Sequence, residues 1–197
     1  MRVLFISFAV ILIDQISKLY VKGISISFLN LNFSGMYVGQ RIPIIGDFFN
    51  ITFVENPGIA FGIDFGNSFK LLISIFSIAA SGLLLFYLYK SRKKILILRL
   101  SLALILGGAI GNLLDRVFYG VIYGYAPLFH GKVVDFFNLR FFDLFMFNRI
   151  FGSYVFNIAD ISVTVGVILF LLSLNKRGLD EKEELNDSEN FLAENKE

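Results

Sequence analysis

Four long apolar segments constrain this chain more than any other feature. They cover residues 3–22, 68–89, 95–119 and 155–174. A helix needs about 20 predominantly apolar residues to cross a bilayer, and only helices and closed barrels satisfy all their backbone polar groups there. A water-soluble domain of this length has no use for so many apolar runs. The sequence therefore predicts an all-α membrane protein with four transmembrane helices.

Composition removes several classes of function. The formal net charge is only +2, which gives no reason to expect a nucleic-acid partner. The chain has no cysteine, which excludes disulfides, thiol nucleophiles and thiolate metal sites. His130 is the single histidine, so a histidine-rich zinc site is impossible. We therefore expect neither a thiolate nor a histidine-rich metal site.

Basic residues predict the orientation of the four spans. They cluster before span one, between spans two and three, and after span four, at Arg2, Lys90, Arg92, Lys93, Lys94, Lys176 and Arg177. Lysine and arginine accumulate in cytoplasmic loops, so both termini are expected inside and residues 23–67 and 120–154 outside. Span one is long and contains charged residues, so we expect it to remain attached rather than be cleaved as a secretory leader.

Polar residues recur at one end of the hydrophobic spans. A charged group at the bilayer centre costs about 2.5–3.5 kcal/mol on insertion scales and is rarely kept without a use. With alternating span directions, the polar groups of spans one, three and four all fall toward the outer leaflet, which is where a site is expected. They are Asp14 and Lys18; Asn112, Asp115 and Arg116; and Asn157 and Asp160.

The segments between and after the spans have distinct characters. Residues 48–54 and 25–31 mix apolar, aromatic and β-branched side chains between turn residues, which predicts a small extracytoplasmic β element, a cradle on the membrane surface. Residues 137–155 are rich in phenylalanine and suit the membrane interface. The tail from 176 to 197 holds eight of the sixteen acidic residues, so we predict a disordered cytoplasmic tail after a membrane-embedded domain of residues 1–175.

Two motifs have both structural and functional interpretations. Asp14 and Lys18 are four residues apart on one helix face, which favours an internal ion pair over direct chemistry. The segment 56–62 reads Asn-Pro-Gly-Ile-Ala-Phe-Gly. Its proline and glycines favour a turn, although Asn56 could also hold an extended peptide.

The end of span three combines packing and charge. Gly107 and Gly111 have the spacing that lets two membrane helices approach closely. Asn112, Asp115 and Arg116 project together from the next turn, and we expect Asp115 to pair with Arg116 and remain ionised. A scaffolding role is favoured for this motif.

Two carboxylates lack an obvious local partner. Asp135 lies in an apolar stretch after span three, and Asp160 lies at the outer end of span four with no basic residue nearby in sequence. Two such groups brought together can share one proton, with one acting as base on water and the other as acid. As a pair at the expected site, they are the best catalytic candidates.

Two other functions are compatible with these residues. In a small transporter, Asp14, Asp115 and Asp160 would relay protons, but such acids should be spread through the bilayer rather than gathered at one face. A membrane Ser/Lys peptidase would use a buried lysine as base. Ser17 and Lys18 are adjacent on a helix and do not face each other, so the serine would have to come from elsewhere.

Five motifs in order resemble lipoprotein signal peptidase, the bacterial signal peptidase II family of membrane aspartic peptidases. The matching segments are residues 14–18, 56–62, 107–116, 133–136 and 156–160, and the resemblance covers about residues 1–175. The stretches between Arg116 and Asp135 and between Asp135 and Asn157 are long for this family.

The resemblance implies removal of the signal peptide from a diacylglyceryl-modified prolipoprotein, just before the lipidated cysteine. It implies a catalytic dyad of Asp135 and Asp160 and no cofactor. It also implies a monomer in the bacterial cytoplasmic membrane, in contact with membrane lipids and with its site near the outer leaflet. The residues implied to bind substrate or brace the site are Asp14, Lys18, Asn56, Gly58, Gly108, Asn112, Asp115, Arg116, Asn157 and Ala159.

Overall fold

A computed structural model describes residues 2–26, 30–58, 67–146 and 149–175. It contains four helices long and apolar enough to cross a membrane, which confirms the predicted spans. They are α1 (Leu4–Lys22), α2 (Asn67–Lys90), α3 (Leu96–Ile122) and α4 (Ile158–Asn175). The predicted acidic tail, the basic residues at 176 and 177, and residues 59–62 of the second motif lie outside the described residues.

Helix α3 lies at the centre of the bundle and contacts the other three helices. Its glycines allow the backbones to come together, as their spacing predicts. A Cβ on Gly107 would lie 2.9 Å from the Val10 side chain of α1, and one on Gly108 would lie 2.3 Å from the Ala159 carbonyl oxygen of α4. Small residues at helix interfaces permit such close packing in membranes.

The outward faces of the helices are apolar. Large side chains exposed there include Phe5, Phe8, Tyr20, Phe76, Leu83 and Phe86. The inward faces form a core of Val3, Leu88, Leu98, Leu102, Ala103 and Leu106 at the end of the bundle that carries the link between α2 and α3. An apolar surface of this kind matches contact with lipid rather than water.

Among the described residues, six strands lie at the opposite end of the bundle, all paired antiparallel. The strands β1 (Gly23–Ile26) and β2 (Leu31–Ser34) form one hairpin. A four-stranded sheet has the order β3 (Arg41–Ile45), β4 (Phe49–Asn56), β5 (Val133–Met146) and β6 (Arg149–Phe156). The predicted strand at 48–54 is confirmed as β4, whereas residues 27–29 of the predicted segment 25–31 lie outside the described residues.

The sheet is larger than the sequence pattern indicates. Residues 137–155, expected as an aromatic interfacial segment, belong largely to β5 and β6. Aromatic side chains fit a strand as well as an interface because they pack against cross-strand neighbours. Phe137 stacks on Phe49 of β4 with ring centroids 6.0 Å apart. The long second outer segment therefore extends the sheet that carries Asp135.

An apolar cluster attaches the sheet to the helices. Val21 of α1, Tyr119 of α3 and the strand residues Phe53, Val134 and Phe136 are all buried together. Near its end, α3 also changes to a π-helix over Asp115–Tyr119. Such insertions alter which side chains share a face and occur often at functional sites. At the start of this π-helix, Asp115 Oδ2 accepts the backbone N–H of Val134 of β5 at 3.1 Å, so the end of α3 meets the start of β5.

Candidate active site

Lys18 is the centre of a fully buried charge cluster. Its Nζ lies 2.8 Å from Asp14 Oδ2 and 2.8 Å from Asp115 Oδ2, and it donates to Asn112 Oδ1 at 2.9 Å. The predicted pair of Asp14 and Lys18 is confirmed. An ammonium has three donors, and these three acceptors engage all of them.

The expected pairing of Asp115 with Arg116 is wrong. Asp115 forms its ion pair with Lys18 instead, because successive residues of a helix point in different directions.

The structure gives no support to a Ser/Lys peptidase built on Ser17 and Lys18. The hydroxyl of Ser17 donates to the Asp14 carbonyl oxygen at 2.7 Å, and Lys18 is held by three acceptors.

Helix packing positions Asp14 against α4. Its Oδ1 accepts the backbone N–H of Ala159 at 3.0 Å. Gly111 leaves room for this contact, since a Cβ there would lie 2.7 Å from Asp14 Oδ2. Asp14 therefore links α1, α3 and the first turn of α4, which fits the predicted bracing role of Gly108 and Ala159.

Gln15 and Tyr119 belong to the same network, and the sequence analysis assigned neither of them a role. Gln15 Nε2 donates to Asp115 Oδ1 at 2.8 Å and to the Gly111 carbonyl oxygen at 3.1 Å. The hydroxyl of Tyr119 donates to Gln15 Oε1 at 3.2 Å. A polar amide inside an apolar span is the signal that would have found Gln15.

Asn157 and Asp160 begin α4 as a reciprocal cap. The N–H of Asp160 donates to Asn157 Oδ1 at 3.0 Å, and the N–H of Asn157 donates to Asp160 Oδ2 at 3.1 Å. This geometry satisfies two backbone donors that a helix start otherwise leaves open. It also holds the Asp160 carboxylate in one orientation.

Asparagine side chains join the two candidate carboxylates. Asn157 Nδ2 donates to Asp135 Oδ1 at 2.7 Å, and Asn112 Nδ2 donates to Asp160 Oδ1 at 2.8 Å. The two amides are themselves joined, since Asn157 Nδ2 also lies 3.0 Å from Asn112 Oδ1. Asp135 and Asp160 are thus brought to one site, next to the Lys18 cluster.

Comparison with known proteins identifies the family. The signal peptidase (SPase) II family matches residues 6–176. The chain belongs to the signal peptidase II family. Its members are membrane aspartic peptidases, so the protein is a peptidase with membrane-spanning helices, and the transporter and Ser/Lys alternatives are set aside.

Curated relatives and solved structures agree with this assignment. The lipoprotein signal peptidase of Porphyromonas gingivalis is 34% identical over 194 residues, covering 82% of this chain and 77% of the relative. That of Fusobacterium nucleatum is 35% identical over 171 residues, covering 86% and 83%. Two solved structures of a bacterial membrane enzyme superpose with TM-scores of 0.60 and 0.59, at 30% and 29% identity. They cover 92% and 88% of this chain, and 92% of each solved chain is matched.

Asp135 of this signal peptidase has a strongly perturbed acidity. Its side chain is buried in β5, next to a second acid. Burial, and then the negative charge of Asp160, raise the pKa of Asp135 from 3.8 to about 7. Hydrogen bonds from Asn56 and Asn157 and the charge of Lys18 act in the opposite direction without cancelling this rise. The carboxyl is therefore able to hold a proton close to neutral pH.

Asn56 closes the predicted turn and also contacts Asp135, whereas its hold on an extended peptide stays a prediction. Its Oδ1 accepts the backbone N–H of Gly58 at 2.9 Å, which closes a turn on its own backbone. Gly58 has a φ of +92°, a conformation that favours glycine. The Nδ2 of Asn56 donates to Asp135 Oδ2 at 3.1 Å, so the turn also presents a donor to the site.

Arg116 supplies positive charge near three acids. Its guanidinium interacts electrostatically with Asp115, Asp135 and Asp160 and donates to the Asn112 carbonyl oxygen at 3.2 Å. Its Nε has no hydrogen-bond partner among the residues that the structure describes. A buried donor without a partner is costly, so this Nε is an unused donor close to the three acids.

An apolar cavity of about 260 Å³ opens beside Asp160. Besides Asp160 it is lined by Leu139, Tyr154, Phe156, Ile161, Thr164 and Val165. A larger cavity of about 720 Å³ lies between α1 and the strands, and neither Asp135 nor Asp160 lines it. The smaller cavity therefore reaches the Asp160 side of the pair.

The charge cluster predicts a difference between two Asp→Asn substitutions. Asp14 is fully buried and ion-paired, whereas the Asp47 side chain is 90% exposed in its pair with Arg41. Asp14→Asn should destabilise the fold by about 3–5 kcal/mol, the cost of removing one partner from a buried ion pair, and lower the melting temperature in detergent. Asp47→Asn is the control and should cost less than about 1 kcal/mol. Equal melting temperatures for the two variants would contradict the bracing role.

Proposed function

We propose that Asp135 and Asp160 are the catalytic dyad with which this signal peptidase removes the signal peptide from a prolipoprotein. The observation that carries the proposal is the junction of the two carboxylates through Asn157, which contacts both. Asp135 is buried and Asp160 partly open to the apolar cavity. When two carboxyl groups lie in different environments, one can hold a proton and act as acid while the other stays ionised and acts as base.

The proposed reaction needs only water and this pair. Asp160 takes a proton from water, the resulting hydroxide attacks the scissile carbonyl carbon, and protonated Asp135 donates its proton to the carbonyl oxygen. In the second step the carbon–nitrogen bond breaks. The leaving nitrogen takes the proton from Asp160, and a hydroxyl of the tetrahedral carbon returns a proton to Asp135. The dyad then has its starting protonation.

Neighbouring groups orient the dyad and the substrate. Asn157 and Asn112 fix the carboxylates by hydrogen bonds, and Arg116 offers Nε to a carbonyl oxygen of the bound peptide. Developing negative charge on the carbonyl oxygen is stabilised by such donors. The cavity beside Asp160 has apolar walls, which suits a lipid-modified peptide whose acyl chains remain in the bilayer. The bond to be cut is the one before the diacylglyceryl-modified cysteine.

We infer an orientation that places this chemistry near the outer leaflet. The basic link between α2 and α3 lies at the end of the bundle opposite the strands and the carboxylates. Positive loops stay in the cytoplasm, so the termini are assigned there too. The monomeric state stays a prediction.

Replacing either acid tests the dyad. Asn is nearly isosteric with Asp but serves as neither acid nor base at these positions, so Asp135→Asn and Asp160→Asn should each reduce kcat by about 100- to 10,000-fold. The double variant should be hardly worse, because residues acting as one unit are not additive. Release of the signal peptide from a lipid-modified prolipoprotein is the measurement. Asp47→Asn is the control, and near-normal turnover by either single variant would refute the dyad.

The raised pKa of Asp135 predicts two pH dependences. Asp135 must be protonated to act as acid, so kcat/KM should fall as the pH rises through about 7. The fold also favours the protonated form, because the folded-state pKa of about 7 exceeds the ordinary 3.8. The contribution of the Asp135 carboxyl to the free energy of unfolding is therefore fully present below about pH 4 and is lost as the pH rises through about 7.

The Asp135→Asn variant is the control for the pH dependence of stability. It has no carboxyl at this position, so its melting temperature should vary less between pH 4 and 7 than that of the unsubstituted protein. The same variation in both proteins would mean that Asp135 is not the group that titrates there.

The orientation predicts which surface an impermeant thiol reagent can reach. The chain has no cysteine of its own, so single cysteines can be placed at Val38 and Lys93, which are both exposed. Cysteine at Val38 should be labelled in intact cells, and cysteine at Lys93 only after the membrane is opened. Labelling of both from outside would exclude the assigned topology.

A further inference from the structure

A second group of charged side chains lies at the end of β4, next to Asn56, and the proposed reaction does not use it. Lys22, the last residue of α1, forms an ion pair with Glu55 of β4. Glu55 also accepts from Lys132 Nζ at 2.9 Å, on the segment leading into β5. The Lys22 and Glu55 side chains are only 6% and 15% exposed. We call Lys22, Glu55 and Lys132 the outer clamp.

Aromatic rings surround the clamp. The Nζ of Lys22 lies 4.3 Å from the ring centroid of Tyr123 and 5.1 Å from that of Tyr125, with the rings of Phe53 and Tyr119 within 6 Å. Attraction of a cation to a ring face is strongest when the cation is desolvated. Tyr123 in turn donates to the Gly23 carbonyl oxygen at 2.7 Å, and Tyr125 accepts the Lys132 N–H at 2.9 Å. The rings therefore hold the loop after α3 against the clamp.

Stability alone does not explain such a cluster. Burying an ion pair is close to neutral for folding, because desolvation offsets the attraction. What a buried pair does supply is geometry, since its members tolerate only one arrangement. The clamp joins the end of α1, the end of β4 and the start of β5, so it fixes the relative placement of these three segments.

The two faces of β4 and β5 connect the clamp to the dyad. In the strand register Glu55 pairs with Val134, Asn56 with Val133, and Val54 with Asp135. Alternate residues of a strand point to opposite faces. Glu55 thus faces the clamp, while Asn56 and Asp135 share the other face and form their 3.1 Å hydrogen bond there.

Asn56 needs such support because it is a strand end. It is the last residue of β4, and its partner Val133 is the first residue of β5. Terminal pairs of a ladder lack a neighbour on one side and open most readily. The adjacent Glu55 is tied to two lysines on different segments, which prevents that opening.

We propose that the outer clamp is a positioning device that holds Asn56 in hydrogen-bonding contact with Asp135. This inference rests on the proposed function, in which Asp135 is the acid. Glu55 is then a positioning residue that acts through Asn56 and touches neither water nor substrate.

A double-mutant cycle tests whether Glu55 acts through Asn56. Glu55→Gln should lower kcat about ten-fold, the equivalent of one hydrogen bond to a charged group, and leave KM unchanged. In the Asn56→Ala background the same substitution should have no further effect. Asp47→Asn, which breaks an exposed ion pair on the same sheet, is the control and should keep full activity. Additive losses in the cycle would overturn the proposal.

The titration of Asp135 gives a second readout that needs no turnover. With ¹³C-labelled aspartate in nanodiscs, the Asp135 signal is assigned by its absence in Asp135→Asn. The charged groups that act on Asp135 are Asp160, Lys18 and Arg116, and Glu55→Gln leaves all three in place. Loss of the Asn56 donor raises the pKa of Asp135, whereas loss of a negative charge at Glu55 acting through space lowers it. A raised midpoint supports positioning, and an unchanged or lowered midpoint overturns it.

Lys132→Met keeps the test usable if Glu55→Gln fails to fold. The Lys132 side chain is 37% exposed, and its loss leaves the Lys22–Glu55 pair intact. Lys132→Met should raise the pH midpoint of the Asp135 titration. In the Asn56→Ala background the same substitution should leave that midpoint unchanged. A rise that persists there would overturn the proposal. If the midpoint behaves as expected but the unsubstituted protein releases no signal peptide, the proposed function fails and the clamp stands.

Discussion

The buried ammonium of Lys18 is the interaction on which the rest of the site depends. Two carboxylates and one amide oxygen converge on it inside the helix bundle. Removing a charge from such a cluster leaves its partners buried and unpaired, which is far more costly than never burying the pair. Because Asp14 comes from α1 and Asp115 from α3, the cluster sets the position of these helices relative to each other. Asp14 then reaches the N–H of Ala159 and sets the start of α4 as well.

The Lys18 cluster also sets the positions of Asp135 and Asp160. Asn112 contacts Lys18 through its oxygen and Asp160 through its nitrogen, so one amide connects the charge cluster to the dyad. Asn157 caps α4 and also donates to Asp135 on the sheet. Helix capping, strand register and ion pairing therefore converge on the same two carboxylates. In the proposed reaction, such rigid elements hold the two carboxylates in place before substrate arrives.

The four transmembrane helices and the location of the polar site could be predicted from the sequence. The four spans follow from apolar length alone, and the polar residues at their ends locate the site because charges in hydrocarbon are rare. The pairing of Asp115 with Lys18 could not be predicted, because the two residues lie on different helices and their contact depends on how α1 packs against α3. The strand pairing of residues 137–155 was missed because phenylalanine is equally typical of membrane interfaces. Lys22, Glu55 and Lys132 lie far apart in sequence and look like ordinary loop charges until β4 and β5 are paired.

This protein is a peptidase that acts on lipid-modified prolipoproteins. The decisive measurement uses purified protein in nanodiscs with a prolipoprotein carrying a diacylglyceryl-modified cysteine, compared with the same substrate lacking the lipid. Mass spectrometry of both products identifies the bond that is cut. Cleavage of the lipid-modified substrate immediately before the modified cysteine, with little cleavage of the unmodified one, is the predicted result. Cleavage at another bond, or a lipid-modified substrate that stays intact, would show that the protein does not remove signal peptides from lipid-modified prolipoproteins.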